Sequence, residues 1–294
     1  MESKKTEGLV LKKYSGFYYV QDEKQNVYEC KLRGKVKSQV FTGDKVIFTV
    51  LGENEGVLEK VLPRENELYR PKIANVSRAF IVMANDQPAP SLSLLDRLLF
   101  LTHYNRILPY IILNKCDLKA HKNAVLLKGY YPKAGFNFLM TSAIQGTGIG
   151  ELRDAIRGQV AVLAGPSGAG KSSLLNVLIG AKNIETQEVS RKIGRGRHTT
   201  RHVELYPLES GGAVADTPGF SILDMPPVRS GDFRFYFPDF LPFMERCRFG
   251  DCLHYRERDC GVREAVDAGM IAGFRYNNYI SMLEEVLENE RCYK

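Results

Sequence analysis

Two nucleotide-binding motifs stand in inverted order in this chain of 294 residues, and that order limits the folds open to it. The guanine-recognition pattern Asn114-Lys115-Cys116-Asp117 precedes the phosphate-binding pattern Gly165-Pro166-Ser167-Gly168-Ala169-Gly170-Lys171-Ser172. In an ordinary small GTPase the phosphate loop comes first. Joining the old ends and cutting elsewhere keeps such a site while moving the termini, so the order predicts a circularly permuted P-loop domain. The cut also lets Asp216-Thr217-Pro218-Gly219 run straight into whatever follows.

The phosphate motif lies between an apolar strand, Val160–Ala164, and a helical stretch, Lys171–Ile179, which is the context such a loop needs. Its glycines let backbone N–H groups converge on phosphate oxygens. Lys171 adds a cation at the β- and γ-phosphates, and the helix N-terminus favours negative charge. Ser172 is a Mg²⁺ ligand candidate, with Ser173 beside it in the first turn. Asn114–Asp117 follows the strand Tyr110–Leu113, where Asp117 can accept from both N1–H and the exocyclic amine of guanine. Adenine lacks that donor pair, so the loop selects GTP and GDP over ATP. Ser142-Ala143, after the strand Phe138–Met140, matches a second base-contacting loop.

The remaining parts lie downstream. Asp216 ends the strand Ala213–Ala215 and would hold Mg²⁺ through water, while the Gly219 N–H would meet the γ-phosphate. Thr199 or Thr200 should complete the Mg²⁺ shell; Thr200 is preferred, and both stay open. Phe220 stands where many GTPases carry the Gln that orients water, so intrinsic hydrolysis should be slow. His198, beside the threonines, is the candidate to position that water.

Residues 1–66 read as short strands rich in Val, Tyr and Phe, separated by Gly, Asn and Asp turns. They suit an OB-type barrel or a half-open sandwich. Residues 67–228 alternate apolar strands, beginning with Arg78–Ala84, with helical stretches such as Ser91–Tyr104, the pattern of a parallel sheet covered by helices. Residues 229–294 form a mostly helical region ending in a helix over Gly273–Glu290. The expected fold class is therefore multidomain α/β.

That last region carries Cys247, Cys252, His254 and Cys260, three thiols and an imidazole within fourteen residues. Four such ligands suit one tetrahedral structural Zn²⁺, a staple for a segment expected to have little core of its own. Cys30, Cys116 and Cys292 are scattered, and His103 and His121 read as surface residues. The N-terminus has no apolar leader and no run reaches membrane-spanning length, so a cytoplasmic protein with no membrane contact is expected. Nothing demands more than a monomer. The net charge of +7 fits a polyanionic partner, and Ser190–His202 holds five Lys or Arg and no acid.

With NKCD, TSA, GPSGAGKSS, GRGRHTT, DTPGF and CRFGDCLHYRERDC in this order, the chain resembles the RsgA family of bacterial GTPases over almost its whole length. The resemblance implies an OB barrel, a permuted GTPase domain and a zinc domain. It implies a GTPase stimulated by the 30S ribosomal subunit late in its maturation, with 16S rRNA as main contact. It also implies a catalytic His at position 198. The sequence departs from the family in a short N-terminal domain with a compact Arg33-Gly34-Lys35 loop, which leaves the barrel's share of rRNA contact open. An rRNA-binding assembly scaffold with a structural nucleotide is the alternative from another class, and a P-loop kinase or ATPase is a third.

Overall fold

A computed structural model of the chain describes residues 5–34, 38–69, 72–180, 203–216 and 224–292. Lys35, His198, Thr199, Thr200, Gly219 and Phe220 lie outside the described residues, as does all of the basic stretch before Val203.

Strands β1 (Lys5–Tyr14), β2 (Phe17–Asp22), β3 (Val27–Leu32), β4 (Lys45–Val50) and β5 (Glu55–Val61) close into a barrel in the order β1-β2-β3-β5-β4. Alternation along each strand turns Val10, Val20, Cys30, Val46, Phe48 and Leu58 inward. A register shift between Val10 and Lys12 lets β1 bend from β4 to β2. The parallel pairing of β3 with β5 completes the closure and rules out the open sandwich. A hairpin, β6 (Glu67–Tyr69) and β7 (Lys72–Ala74), leads out of the barrel.

The central sheet has the order β10-β9-β8-β11-β13-β12. β8 (Arg78–Ala84), β9 (Leu108–Asn114), β10 (Asn137–Met140), β11 (Val160–Ala164) and β13 (Ala213–Asp216) are parallel, and β12 (Leu205–Pro207) runs antiparallel at the edge. The apolar run of β8 is buried on both faces, with Ala79, Ile81 and Met83 in one layer and Phe80 and Val82 in the other. Helices α1 (Leu92–Tyr104) and α2 (Lys122–Tyr130) cover the first layer; α3 (Ile149–Ile156) and α4 (Lys171–Ile179) cover the second. Ser91 starts α1 by accepting from the Leu94 N–H. Because the chain steps from β8 outward to β9 and β10 and then returns to the other side of β8, the crevice between β8 and β11 is a topological switch point, where such sheets bind ligands.

Beyond residue 228 come the short helices α5 (Ser230–Phe233) and α6 (Leu241–Met244), then α7 (Gly261–Asp267) and the long α8 (Gly273–Cys292). The expectation of little core here is wrong. Phe233, Phe237, Phe240, Tyr279 and Leu283 are fully buried together, and Phe100 of α1 joins them. The region therefore shares its core with the neighbouring domain, which is how so short a segment excludes water. Where the two meet, Arg275 of α8 is buried between Asp96 of α1, at 2.7 Å, and Asp239, at 2.9 Å. Tyr130 donates to Asp239, Tyr131 to Asp96, and Asn278 to Asp96, so both carboxylates are multiply satisfied. His103 is not a free surface residue: it packs edge-on against Phe136, and burial lowers its pKa. His121 likewise has a structural part, capping α2 by accepting from the Asn123 N–H.

Candidate functional site

At the switch point, Gly165, Gly168 and Gly170 all adopt positive φ, so the loop after β11 turns tightly into the N-terminus of α4. Gly170 is required by space as well, since a Cβ there would collide with the Asn114 amide. The Lys171 ammonium folds back to the Gly165 and Pro166 carbonyls, at 2.9 and 2.8 Å. Ser172 and Ser173 sit exposed in the first turn of α4, Ser167 is exposed at the loop tip and Ala169 is buried beneath it. Asp216 ends β13 beside Leu163 of β11, two residues before the loop begins. The structure thus brings together Gly165–Ser173 and the backbone of Asp216 at one end of the sheet.

The residues of the expected base-reading motif reach the same place from β9. Asn114 is buried and donates from Nδ2 to the Ala169 carbonyl at 2.9 Å, while its Oδ1 accepts from the Thr141 hydroxyl at 3.0 Å. Lys115 takes a left-handed backbone and its ammonium meets the Gln87 carbonyl. The exposed Asp117 accepts from Ser142 Oγ at 2.5 Å, and that hydroxyl in turn accepts from the Gln145 N–H. Ser142 is fully buried and Ala143 half-buried, so the Asp117 carboxylate is aimed from below with one oxygen held. A fixed carboxylate of this kind is an acceptor pair for two parallel N–H donors.

Two residues of this site are given no role by the motifs. Thr141 orients Asn114, as described. Asn85, 4 % exposed, clasps the Asn114–Asp117 loop at both ends: its N–H donates to the Asn114 carbonyl, its Nδ2 to the Leu118 carbonyl, and its carbonyl accepts from the His121 N–H. Its only sequence signal is a polar residue directly after an apolar strand.

The four metal-ligand candidates converge elsewhere, under α8. Their ligand atoms all lie within 4.8 Å of one another. Cys247 and Cys260 approach His254 Nδ1 to 3.5 and 3.4 Å, and their sulfurs are 4.0 Å apart. A tetrahedral zinc with ordinary bond lengths would set sulfur–nitrogen separations of about 3.6 Å and sulfur–sulfur separations of about 3.8 Å, so the donor set fits. Burial pushes His254 down to about 4, helped by the Arg234 charge, so its imidazole is neutral at pH 7, the form that ligates metal. Burial pushes Cys252 up to about 12 and raises Cys260, so these thiols need a compensating cation to ionise. The ligand loop is braced by residues to which the motifs assign no role. Glu257 accepts from the Leu253, Tyr255 and Arg256 N–H groups, Arg234 donates to the Gly250 and Cys252 carbonyls, and Tyr276 donates to the His254 carbonyl.

The sequence model described as RsgA GTPase matches residues 61–226, and that described as RsgA N-terminal domain matches residues 7–58. A protein of Carboxydothermus hydrogenoformans named small ribosomal subunit biogenesis GTPase RsgA is 47% identical over 97% of this chain and 99% of its own length. A relative of the same name from Moorella thermoacetica is also 47% identical, over 98% and 99%. The crystal structure of YjeQ from Thermotoga maritima has a TM-score of 0.81 at 34% identity, covering 97% of this chain and 99% of that one. YloQ, described as a circularly permuted GTPase, has a TM-score of 0.82 at 33% identity, covering 97% and 96%. Permuted sheet, joined base and phosphate loops and sequence relationship agree, and the chain belongs to the RsgA family of GTPases.

Proposed function

We propose that this chain hydrolyses GTP to GDP and phosphate when engaged with the 30S ribosomal subunit, late in the maturation of that particle. One observation carries the nucleotide half of this reading: Asn114 of the base-reading loop is hydrogen-bonded to Ala169 of the phosphate loop, so both grip one ligand. In the proposed site Asp117 takes the guanine edge, Lys115 lies along the base plane, and Ser142 and Ala143 close the base pocket. The N–H groups of Gly165–Ser173, with Pro166 shaping the turn, cradle the phosphates beside Lys171. Mg²⁺, held by Ser172, Thr200 and water on Asp216, would neutralise charge on the β- and γ-phosphates. Gly219 would mark the γ-phosphate, and His198 would orient the attacking water in place of the Gln that Phe220 displaces. Cys247, Cys252, His254 and Cys260 would hold one structural Zn²⁺.

We assign the domains to residues 1–66, 67–228 and 229–294, and take the chain to act as a cytoplasmic monomer. The barrel and the basic stretch over residues 190–202 would meet 16S rRNA, with binding that weakens as salt rises. Among the described residues no helix is long and apolar enough to cross a membrane.

The deciding experiment is steady-state GTP turnover with and without purified 30S subunits, with ATP as control. Stimulation by 30S with GTP alone is expected, and His198→Ala should lose most of it while nucleotide affinity holds. Turnover indifferent to 30S would overturn the reading and favour a scaffold in which the nucleotide is structural.

A further inference from the structure

The barrel is fastened to the nucleotide domain at one informative place. Thr42, in the turn before β4, donates from Oγ1 to the Val203 carbonyl at 3.0 Å, and this bond is buried. Lys12, on β1, pairs with Glu204 at 2.7 Å. Between them Leu11 of the barrel packs into the same apolar layer as Val203 and Leu205. Three consecutive residues at the start of β12 are thus held by the barrel through a hydrogen bond, an ion pair and apolar contact.

The barrel side of this fastening is stiff. Asp44 is fully buried and accepts from the Phe41 N–H and from Arg64. Gly43, at positive φ, lies so close to the Ala74 carbonyl that any side chain would collide with it. Asn75 donates to the Gly43 carbonyl at 2.9 Å. A load applied to the barrel therefore reaches Thr42 with little give.

The nucleotide side is equally specific. β12 runs antiparallel to β13, with Leu205 opposite Ala215, so the start of β12 lies beside the end of β13 at Asp216. β13 in turn pairs with β11, whose end opens the phosphate loop. Thr200 precedes Val203 by three residues in sequence, a span of at most about 11 Å even when extended.

We propose that Lys12, Thr42 and Glu204 are positioning residues for hydrolysis: through them the barrel sets the start of β12, and loading the barrel with RNA is transmitted to the γ-phosphate side of the nucleotide site. The proposal rests on the reading of the chain as a 30S-stimulated GTPase, and it names the route of that stimulation. None of the three touches nucleotide. Their effect is on the stimulated rate, because without RNA the barrel exerts no load.

Glu204→Gln is the cleanest probe. It removes an acid, so it cannot weaken attraction to RNA, whereas Lys12 lies on the barrel itself. The expected result is an unchanged basal GTP turnover and GDP affinity, with stimulated turnover at saturating 30S reduced on the order of fivefold. The exchanged pair Lys12→Glu with Glu204→Lys should recover most of the stimulation at saturating 30S, which loss of either charge on its own account would not allow; the unchanged basal turnover of Glu204→Gln separates this from general loss of structure. Full stimulation in Glu204→Gln, or no recovery in the exchanged pair, overturns the proposal. A second readout needs no ribosome. Hydrogen exchange of the amides at 41–46 should differ between GDP and a non-hydrolysable GTP analogue in the unaltered protein, and the difference should vanish in Glu204→Gln. Absence of any difference in the unaltered protein overturns the tether even if 30S stimulates, and its presence supports the tether even if 30S does not.

Discussion

Asn114 and Ala169 belong to motifs 55 residues apart in sequence, yet the Asn114 amide donates to the Ala169 carbonyl at 2.9 Å. The same side chain accepts from Thr141. Asn114→Ala would leave a buried carbonyl and a buried hydroxyl unpaired, each costing about 1–3 kcal/mol. GDP affinity should fall by at least about tenfold, because that cost is borne by the geometry of the bound site. A titration with fluorescent GDP showing unaltered affinity would count against a joint grip by the two loops.

Arg275 is the pin between α1 and the C-terminal region. Arg275→Met should destabilise the protein by about 3–5 kcal/mol, since two buried carboxylates lose their common partner. The Arg97–Glu285 pair spans the same helices but is partly exposed, so Arg97→Met should cost about 1 kcal/mol or less. Denaturant melts of both variants test the contrast, and equal losses would show that burial is not what distinguishes them.

Acid should act on this junction in a set order. Burial raises Asp96 despite Arg275, so it takes up its proton first as pH falls. Burial would raise Asp239 too, but the charge and hydrogen bonds of Arg275, with Tyr130, hold it below its ordinary value. A carboxylate whose folded pKa is depressed gives stability that is present above its unfolded pKa, about 3.9, and is lost as pH falls through the lower folded value. The Asp239 contribution should therefore persist at pH 5 and disappear only in stronger acid. Carboxyl NMR titration would resolve both groups, and an Asp239 that titrates above Asp96 would reverse the assignment.

Removing metal should loosen the ligand loop without melting the domain. Phe233, Phe237, Phe240 and Tyr279 also pack on one another, so the core they share with Cys252 and Cys260 does not rest on the ligands alone. After chelation, amides between 247 and 260 should exchange faster while those near Leu283 stay protected. Joint loss of both would mean that the metal, and not the aromatic core, carries the region.

Much of the fold and of the site is legible in the sequence. The β8 run Arg78–Ala84 is apolar at every position after the first, and such a run fits only a strand covered on both faces. The loops around Asn114 and Gly165 carry residue types that few other tasks demand. Residues that act through backbone groups were not readable. Asn85 and Glu257 hold loops by contacting N–H and C=O groups, which leave no trace in side-chain patterns. Arg275 looks like any cation on a polar helix until Asp96, 179 residues away in sequence, is folded against it. The aromatic core is hard to read for another reason: Phe233, Phe237 and Phe240 sit in short helices and turns with no sustained period to mark a buried face, and Phe100 joins them from α1.

The position of β8 at the middle of the sheet bears on how the molecule is made. As the chain leaves the ribosome that synthesises it, β8 emerges before every other strand of that sheet, then β9 and β10 extend it on one side. A nascent chain that has reached Ile156 already holds Asn114–Asp117 and Ser142-Ala143, but none of Gly165–Ser173. Free nucleotide therefore cannot serve as a template for the first half of the domain. It becomes a stabilising ligand only once β11 and β13 have been added to the opposite edge.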